Sequence, residues 1–276
     1  MTNPMSILLY ALKAATNREA VGLCELPEVT LERAGRCLGI DRSEIDADYL
    51  GVNHQGFFLS LSHRGNECLS QVIEAWNDDV IDRSTLRDIG ALPLSYMRLY
   101  YHREREVRRM TARSVSRGRE LEELADHLLK SYDAKLDAST DLLERRSMPW
   151  FEKALAPAIE AAVGGPSVPL FVSTINRGFE SRLPSDAVVE VLARIRKAHP
   201  PCGLEPVPTD QAKARPELVA FLERVIRFEK SAAEAALDPT ERHIRQALNE
   251  HPFELSSADI ERLIAPLQAV TSGAPR

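Results

Sequence analysis

The stretch Asp48-Tyr49-Leu50-Gly51-Val52-Asn53-His54-Gln55-Gly56-Phe57-Phe58-Leu59-Ser60-Leu61-Ser62 decides the fold. Tyr49 to Asn53 and Gly56 to Ser62 read as two strands, and the turn near His54 and Gly56 makes the second antiparallel to the first. Upstream, another short apolar run closes on Cys24 in Gly22-Leu23-Cys24-Glu25-Leu26-Pro27. A thiolate and an imidazole delivered from two strand ends can hold one divalent ion and leave positions open for a substrate. Against this, Cys24 and His54 form no CxxC or HxxxH cluster, and Cys37, Cys68 and Cys202 are scattered singly. A lone cysteine of this kind is commonly a small buried hydrophobe.

Working outward, Ile7 to Ala15 reads as a helix, Ala20 to Cys24 as a strand, and Glu28 to Leu38 as a helix ended by Gly39, which gives an alternating α/β beginning. Helices follow over Glu67 to Asn77, Leu94 to Tyr101, Glu104 to Lys135, Asp141 to Arg146 and Trp150 to Ala162. A late strand pair, Pro169 to Ile175 and Ala187 to Ala193, brackets the loop Asn176-Arg177-Gly178. Loops between strands commonly carry polar contacts, so Asn176 and Arg177 are read either as site residues or as a plain turn. Three C-terminal helices start near Glu217, Pro239 and Ser257. The other histidines, His63, His102, His127, His199, His243 and His251, match no motif.

Taken together, Thr2-Asn3-Pro4, Gly22-Leu23-Cys24, Gly51-Val52-Asn53-His54 and Leu92-Pro93-Leu94-Ser95-Tyr96-Met97-Arg98-Leu99-Tyr100-Tyr101 resemble the NAD- and manganese-dependent glycoside hydrolases of family four. The resemblance is nearest to the 6-phospho-β-glucosidase branch and continues through Trp150-Phe151, Asn176-Arg177-Gly178 and Leu183-Pro184-Ser185-Asp186. It implies an α+β fold with an α/β start, similar to the C-terminal substrate domain of lactate-dehydrogenase-like proteins, with many helices and a small mixed or antiparallel sheet. It also implies a route outside the two-carboxylate scheme of most glycosidases. NAD+ oxidises C3 of the sugar, a tyrosine removes the acidified C2 proton, Mn2+ stabilises the enolate, the aglycone is eliminated, water adds and the hydride returns.

Carried over by motif, Cys24 and His54 are the metal ligands, Tyr96 the base at C2, and Asn3 and Asn53 substrate contacts. A phenol with a pKa of about 10 needs nearby positive charge to act as a base at neutral pH. A divalent ion and an oxidised nicotinamide supply it, and Arg98 and Arg103 are close in sequence. Read without the resemblance, Tyr96, Leu99 and Tyr100 are the apolar stripe of a helix, and Asn3-Pro4 is an ordinary turn dipeptide.

Two departures stand out. Glu25 occupies a position that is Asn in β-acting and Asp in α-acting members, so it reads as an acid or as a salt-bridging residue at a helix start. Gln55 replaces a more usual apolar residue. In addition, no GxGxxG opens the chain, which leads us to expect residues 1–60 to be the remainder of a nucleotide-binding domain and 61–276 the C-terminal domain. Either the chain is then a truncated or split gene product, or a separate Rossmann-domain chain supplies the nucleotide half. Homo-oligomerisation is the other expected association.

The chain has 276 residues and a formal charge of −6, enough length for one large or two small domains and a poor match to general nucleic-acid binding. The basic stretch from Arg103 to Arg119 is interleaved with glutamates and reads as a solvated amphipathic helix, possible ground for a subunit contact. No signal peptide or membrane-length apolar run is legible, and unpaired cysteines suit a reducing compartment, so a cytoplasmic location is expected. The alternatives to a phospho-glucosidase are a non-catalytic remnant of one and, more distantly, a hydroxyacid dehydrogenase, which would use a histidine with carboxylate and arginine partners.

Overall fold

The β2–β3 hairpin organises the molecule. The computed structural model describes residues 5–18, 20–78, 81–133, 149–196, 203–208, 211–212 and 214–272. Asn3, Cys202 and the expected helix at 141–146 lie outside them. The chain runs through α1 (Met5–Thr16), β1 (Gly22–Cys24), α2 (Leu26–Leu38), β2 (Ile45–Val52) and β3 (Gln55–His63). Short β4 (Asn66–Glu67), α3 (Leu69–Ala75), α4 (Arg83–Ile89) and β5 (Leu92–Pro93) follow, then a 3-10 turn at Ser95–Met97 and α5 (Arg98–Tyr101). Gly39 ends α2 in the left-handed conformation, its N–H bonded to the Arg36 and Gly35 carbonyls, because an achiral residue meets no Cβ penalty there.

Between β2 and β3 only Asn53 and His54 turn the chain, with φ of 44° and 68°, and Val52 faces Gln55 across the ladder. Two successive positive φ angles match the twist of a two-residue hairpin, and Asn suits the first position. His54 fills the second, where glycine is the relaxed choice, so the turn holds its imidazole on a strained backbone. Next to the turn, Gly51 pairs with Gly56. A Cβ on either would strike the Tyr49 phenol, which crosses the hairpin at this level.

The expected helix from Glu104 to Lys135 is two helices, α6 (Arg103–Thr111) and α7 (Arg117–Asp133). The break has a local cause: the Ser116 hydroxyl accepts the Arg119 N–H at 3.2 Å, starting a new helix in place of continuing the old one. Ion pairs Arg109–Glu106, Arg117–Glu120 and Arg119–Glu123 set the basic residues against the interleaved glutamates. The chain then passes through a π turn at Phe151–Leu155, α8 (Ala156–Ala162), β6 (Pro169–Ile175), β7 (Val188–Arg196) and β8 (Gly203–Pro206). It ends in α9 (Pro216–Leu237), α10 (Glu241–Asn249) and α11 (Ser257–Ser272).

All described strands join one sheet in the order β1-β6-β7-β2-β3-β4, with β5 on β3 and β8 on β7, and every pairing is antiparallel. The α+β architecture is therefore as expected, in its antiparallel form. The boundary expected at residue 60 falls inside β3, and the sheet runs across it. On β6, Leu170 and Val172 pack with Ala158 and Ala161 of α8. Phe171 and Ser173 face the other way, the first against Tyr49 and the second against Cys24, as the two-residue strand period requires. Phe57, Phe58, Leu61 and Leu222 are fully buried in the main core. No described helix is long and apolar enough to cross a membrane.

Overpacking the hairpin tests this arrangement. Gly56→Ala should destabilise the chain by about 1–3 kcal/mol in urea unfolding. An unchanged urea midpoint for Gly56→Ala would contradict the close approach.

Candidate metal centre and active site

Cys24 ends β1, and β1 pairs with β6 so that Cys24 lies opposite Phe171. His54 comes from the hairpin turn, and β2 meets β7 where Gly51 faces Glu190. The sheet thus brings three donor groups together: the Cys24 thiol, the His54 imidazole and the Glu190 carboxylate lie within 4.8 Å of one another, all buried. Ser173 adds a hydroxyl 3.0 Å from the Cys24 sulfur. The two cysteine and histidine residues singled out by sequence do meet, and Glu190 is an addition that sequence reading missed. A signal existed, since a glutamate inside Val188-Val189-Glu190-Val191 is a charge within a buried strand and has to be partnered.

Glu190 is 1% exposed and is held from several sides. Tyr49 donates to its Oε2 at 2.6 Å, while the His54 backbone N–H and the Cys24 thiol donate to its Oε1 at 2.8 Å and 3.3 Å. Burial pushes the Glu190 carboxyl up, but the bonds and charge of His54 and the bond from Tyr49 outweigh it, leaving a net shift below the usual glutamate range. For His54, burial opposes the charged form, and the neighbouring Glu190 overcomes it to raise the pKa. Burial first, and the Glu190 charge second, hold the Cys24 thiol well above its ordinary value. Without a cation the sulfur therefore keeps its proton.

The fit to a metal ion can be judged on one atom. His54 Nδ1 is buried and has no hydrogen-bond partner among the described residues, although Glu190 Oε1 is only 3.3 Å away. An imidazole nitrogen that lacks a hydrogen bond of good geometry, beside a thiol and a carboxylate, is a donor set that suits a divalent transition ion. Cys24 and His54 would hold such an ion.

The Tyr96 ring stacks beside His54, centroids 6.0 Å apart and planes at 26°. Tyr96 lies in the 3-10 turn that precedes α5, with Met97 in the core below it. Arg98 is engaged in an ion pair with buried Glu106 at 3.1 Å, and the Arg103 guanidinium lies over the Phe253 ring. Asn53 is 5% exposed, and its Oδ1 is buried without a hydrogen-bond partner among the described residues, as are Ser6 Oγ and Glu229 Oε2. Burial pushes the Glu229 carboxyl up to about 8, against the opposing influence of Asn53 and Ser6.

The other sequence candidates have structural roles. Asn176 is fully buried and staples its own loop, donating to the Glu180, Leu183 and Pro184 carbonyls and accepting the Glu180 N–H. This is the plain-turn reading of that loop. Glu25 stands at the start of α2 without a capping side-chain bond. With its amide oriented to satisfy its neighbours, Gln55 donates to the Val52 and Asn53 carbonyls at 2.9 and 2.7 Å. Among the unassigned histidines, His63 pairs with Glu44 and His102 with Thr85.

Residues 49–253 match the family model described as the family 4 glycosyl hydrolase C-terminal domain, and the chain belongs to that family. A probable 6-phospho-beta-glucosidase of Bacillus subtilis (strain 168) is 25% identical over 254 residues, 86% of this chain and 56% of that protein. The 6-phospho-beta glucosidase of Thermotoga maritima, solved with manganese, NAD+ and glucose-6-phosphate, superposes with a TM-score of 0.82 at 18% identity, over 99% of this chain and 65% of that one. A 6-phospho-alpha-glucosidase from gut microorganisms, solved with NAD and Mn2+, gives a TM-score of 0.77 at 16% identity, over 98% and 66%. The chain thus spans between about half and two thirds of the length of these relatives.

The raised Glu229 pKa makes a signed prediction. A carboxyl at about 8 in the fold, against an ordinary value of 4.5, binds a proton on folding between those limits, so its contribution to stability falls as pH rises through that window and stays low above it. Glu229→Gln should gain stability relative to the wild type from pH 5 to pH 9 in urea unfolding. Parallel pH curves for the two proteins would show that Glu229 does not titrate there.

Proposed function

We propose that this chain forms the metal-binding and proton-abstracting half of a glycosidase that hydrolyses 6-phospho-β-glucosides, with NAD and Mn2+ as cofactors. The observation that carries the reading is the meeting of buried Cys24, from β1, and His54, from the hairpin turn, with the Tyr96 ring stacked alongside His54. The manganese, NAD+ and glucose-6-phosphate of the Thermotoga maritima structure support the cofactor assignment. Kinship with the Bacillus subtilis protein favours a β-linked substrate. The nucleotide site belongs to a Rossmann-fold half, on the same polypeptide or on a partner chain.

When bound, the dinucleotide supplies reversible hydride chemistry at C3 and the divalent ion supplies Lewis-acid stabilisation of negative charge on the sugar oxygens. Cys24 and His54 hold the ion from β1 and the hairpin turn. Tyr96 takes the proton from C2 and is positioned for it by the turn before α5 and by its stacking on His54. Asn53 Oδ1, buried and without a partner among the described residues, accepts a hydrogen bond from a sugar hydroxyl, and the family resemblance adds Asn3, which lies outside the described residues, as a second substrate contact. No carboxylate pair is required by this route, which agrees with the engagement of Glu180 and Asp48 by Arg182.

The test is hydrolysis of a chromogenic 6-phospho-β-glucoside with NAD+, Mn2+ and a thiol reductant, by the chain alone and with a Rossmann-fold half supplied. Turnover in one of these settings is expected. Tyr96→Phe should lower it by about 10²–10⁴-fold and abolish deuterium incorporation at C2 in D2O, while leaving Mn2+ binding intact. The Cys24→Ser, His54→Ala double variant should lose Mn2+ affinity. Silence in every combination, beside an active relative as control, would favour a non-catalytic domain that keeps the family fold.

A further inference from the structure

We infer that Glu190 is a third protein ligand of the metal, so that this chain holds a divalent ion by itself through one sulfur, one nitrogen and one oxygen donor. The inference rests on the Cys24 and His54 reading above and adds to it a group from β7. Glu190 Oε1 is 3.3 Å from the Cys24 sulfur and 3.3 Å from His54 Nδ1. Metal–donor bonds of about 2.0–2.4 Å place neighbouring ligands roughly 3–4 Å apart, so both separations suit donors to a common centre.

Three further observations point the same way. Tyr49 engages Oε2 at 2.6 Å, which turns Oε1 toward the thiol and imidazole. His54 Nδ1 makes an ion-pair contact with Oε1 at 3.3 Å but no hydrogen bond of good geometry among the described residues, so the two atoms stand side by side as donors to a common cation would. The donors come from β1, the β2–β3 turn and β7, which the sheet fixes relative to one another. A thiolate and a carboxylate together carry two negative charges, enough to neutralise a divalent cation in a buried site. Substrate hydroxyls or water would take the remaining positions.

The experiment has two arms on the full 276-residue chain in reducing buffer. In solution, Co2+ titration followed by thiolate-to-cobalt absorption compares the wild type with Glu190→Gln, which keeps an acceptor for the His54 N–H but removes the charge. A loss of affinity of at least about tenfold is expected, with thermal melting to verify that the variant is folded. In crystals of the wild type soaked with Mn2+, the anomalous peak should lie within bonding distance of Cys24, His54 and Glu190 Oε1. This arm stands even where the variant does not fold. A peak bonded to Cys24 and His54 with Oε1 beyond 3 Å, together with a Glu190→Gln affinity within about twofold of wild type, would overturn the inference and leave the two-ligand reading in place. Absence of any cobalt or manganese binding by the wild type would overturn both.

Discussion

The buried carboxylate of Glu190 is the constraint around which the site is arranged. It stands in the interior of the sheet, where an ionised group is tolerated only with several donors, and Tyr49, His54 and Cys24 supply them. Each donor is drawn into place by that requirement. The Tyr49 phenol has to cross the hairpin, which restricts positions 51 and 56 to glycine. The backbone N–H of His54 has to point inward, which agrees with the left-handed conformation of a non-glycine residue at that turn. Chemistry and fold are thus coupled through one side chain.

The same arrangement sets the electrostatics of the thiol. A cysteine that serves as a reactive nucleophile sits in an electropositive, partly open environment. Cys24 has the opposite setting: it is buried and faces a carboxylate, and both effects hold its proton on. Such a sulfur becomes a thiolate when a cation replaces that proton, which is the behaviour of a metal ligand. Glu229 carries another buried carboxyl near the site, and burial, helped by the charge of Glu190, pushes its pKa up to about 8.

Much of the architecture is legible in the sequence. The hairpin followed from its glycines and polar turn, the late strand pair from its β-branched runs, and the C-terminal helices from their periodicity and prolines, because these signals are local. Short motifs single out Cys24, His54 and Tyr96, and the fold brings Cys24 near His54 and stacks the Tyr96 ring beside His54. Glu190 is not singled out in this way, since its partners are 136, 141 and 166 residues away and no local pattern encodes such a contact. Asn176 was ambiguous for a related reason: a loop asparagine that binds a ligand and one that binds its own backbone have the same sequence signature. The break between α6 and α7 turned on a serine cap inside an otherwise continuous helical pattern.

The strand order has a consequence for how the molecule is made. β1 and β2 are near neighbours in the chain, yet the β6–β7 hairpin lies between them in the sheet. A nascent chain that has produced both β1 and the β2–β3 hairpin still lacks the strands that bring Cys24 and His54 to the same point. Those strands begin at Pro169, so closure of a long loop precedes the meeting of the donors, and topologies of this kind fold slowly. The cluster of Cys24, His54 and Glu190 is consequently a product of late folding and does not nucleate it, since its donors meet only after the chain has been synthesised past Glu190.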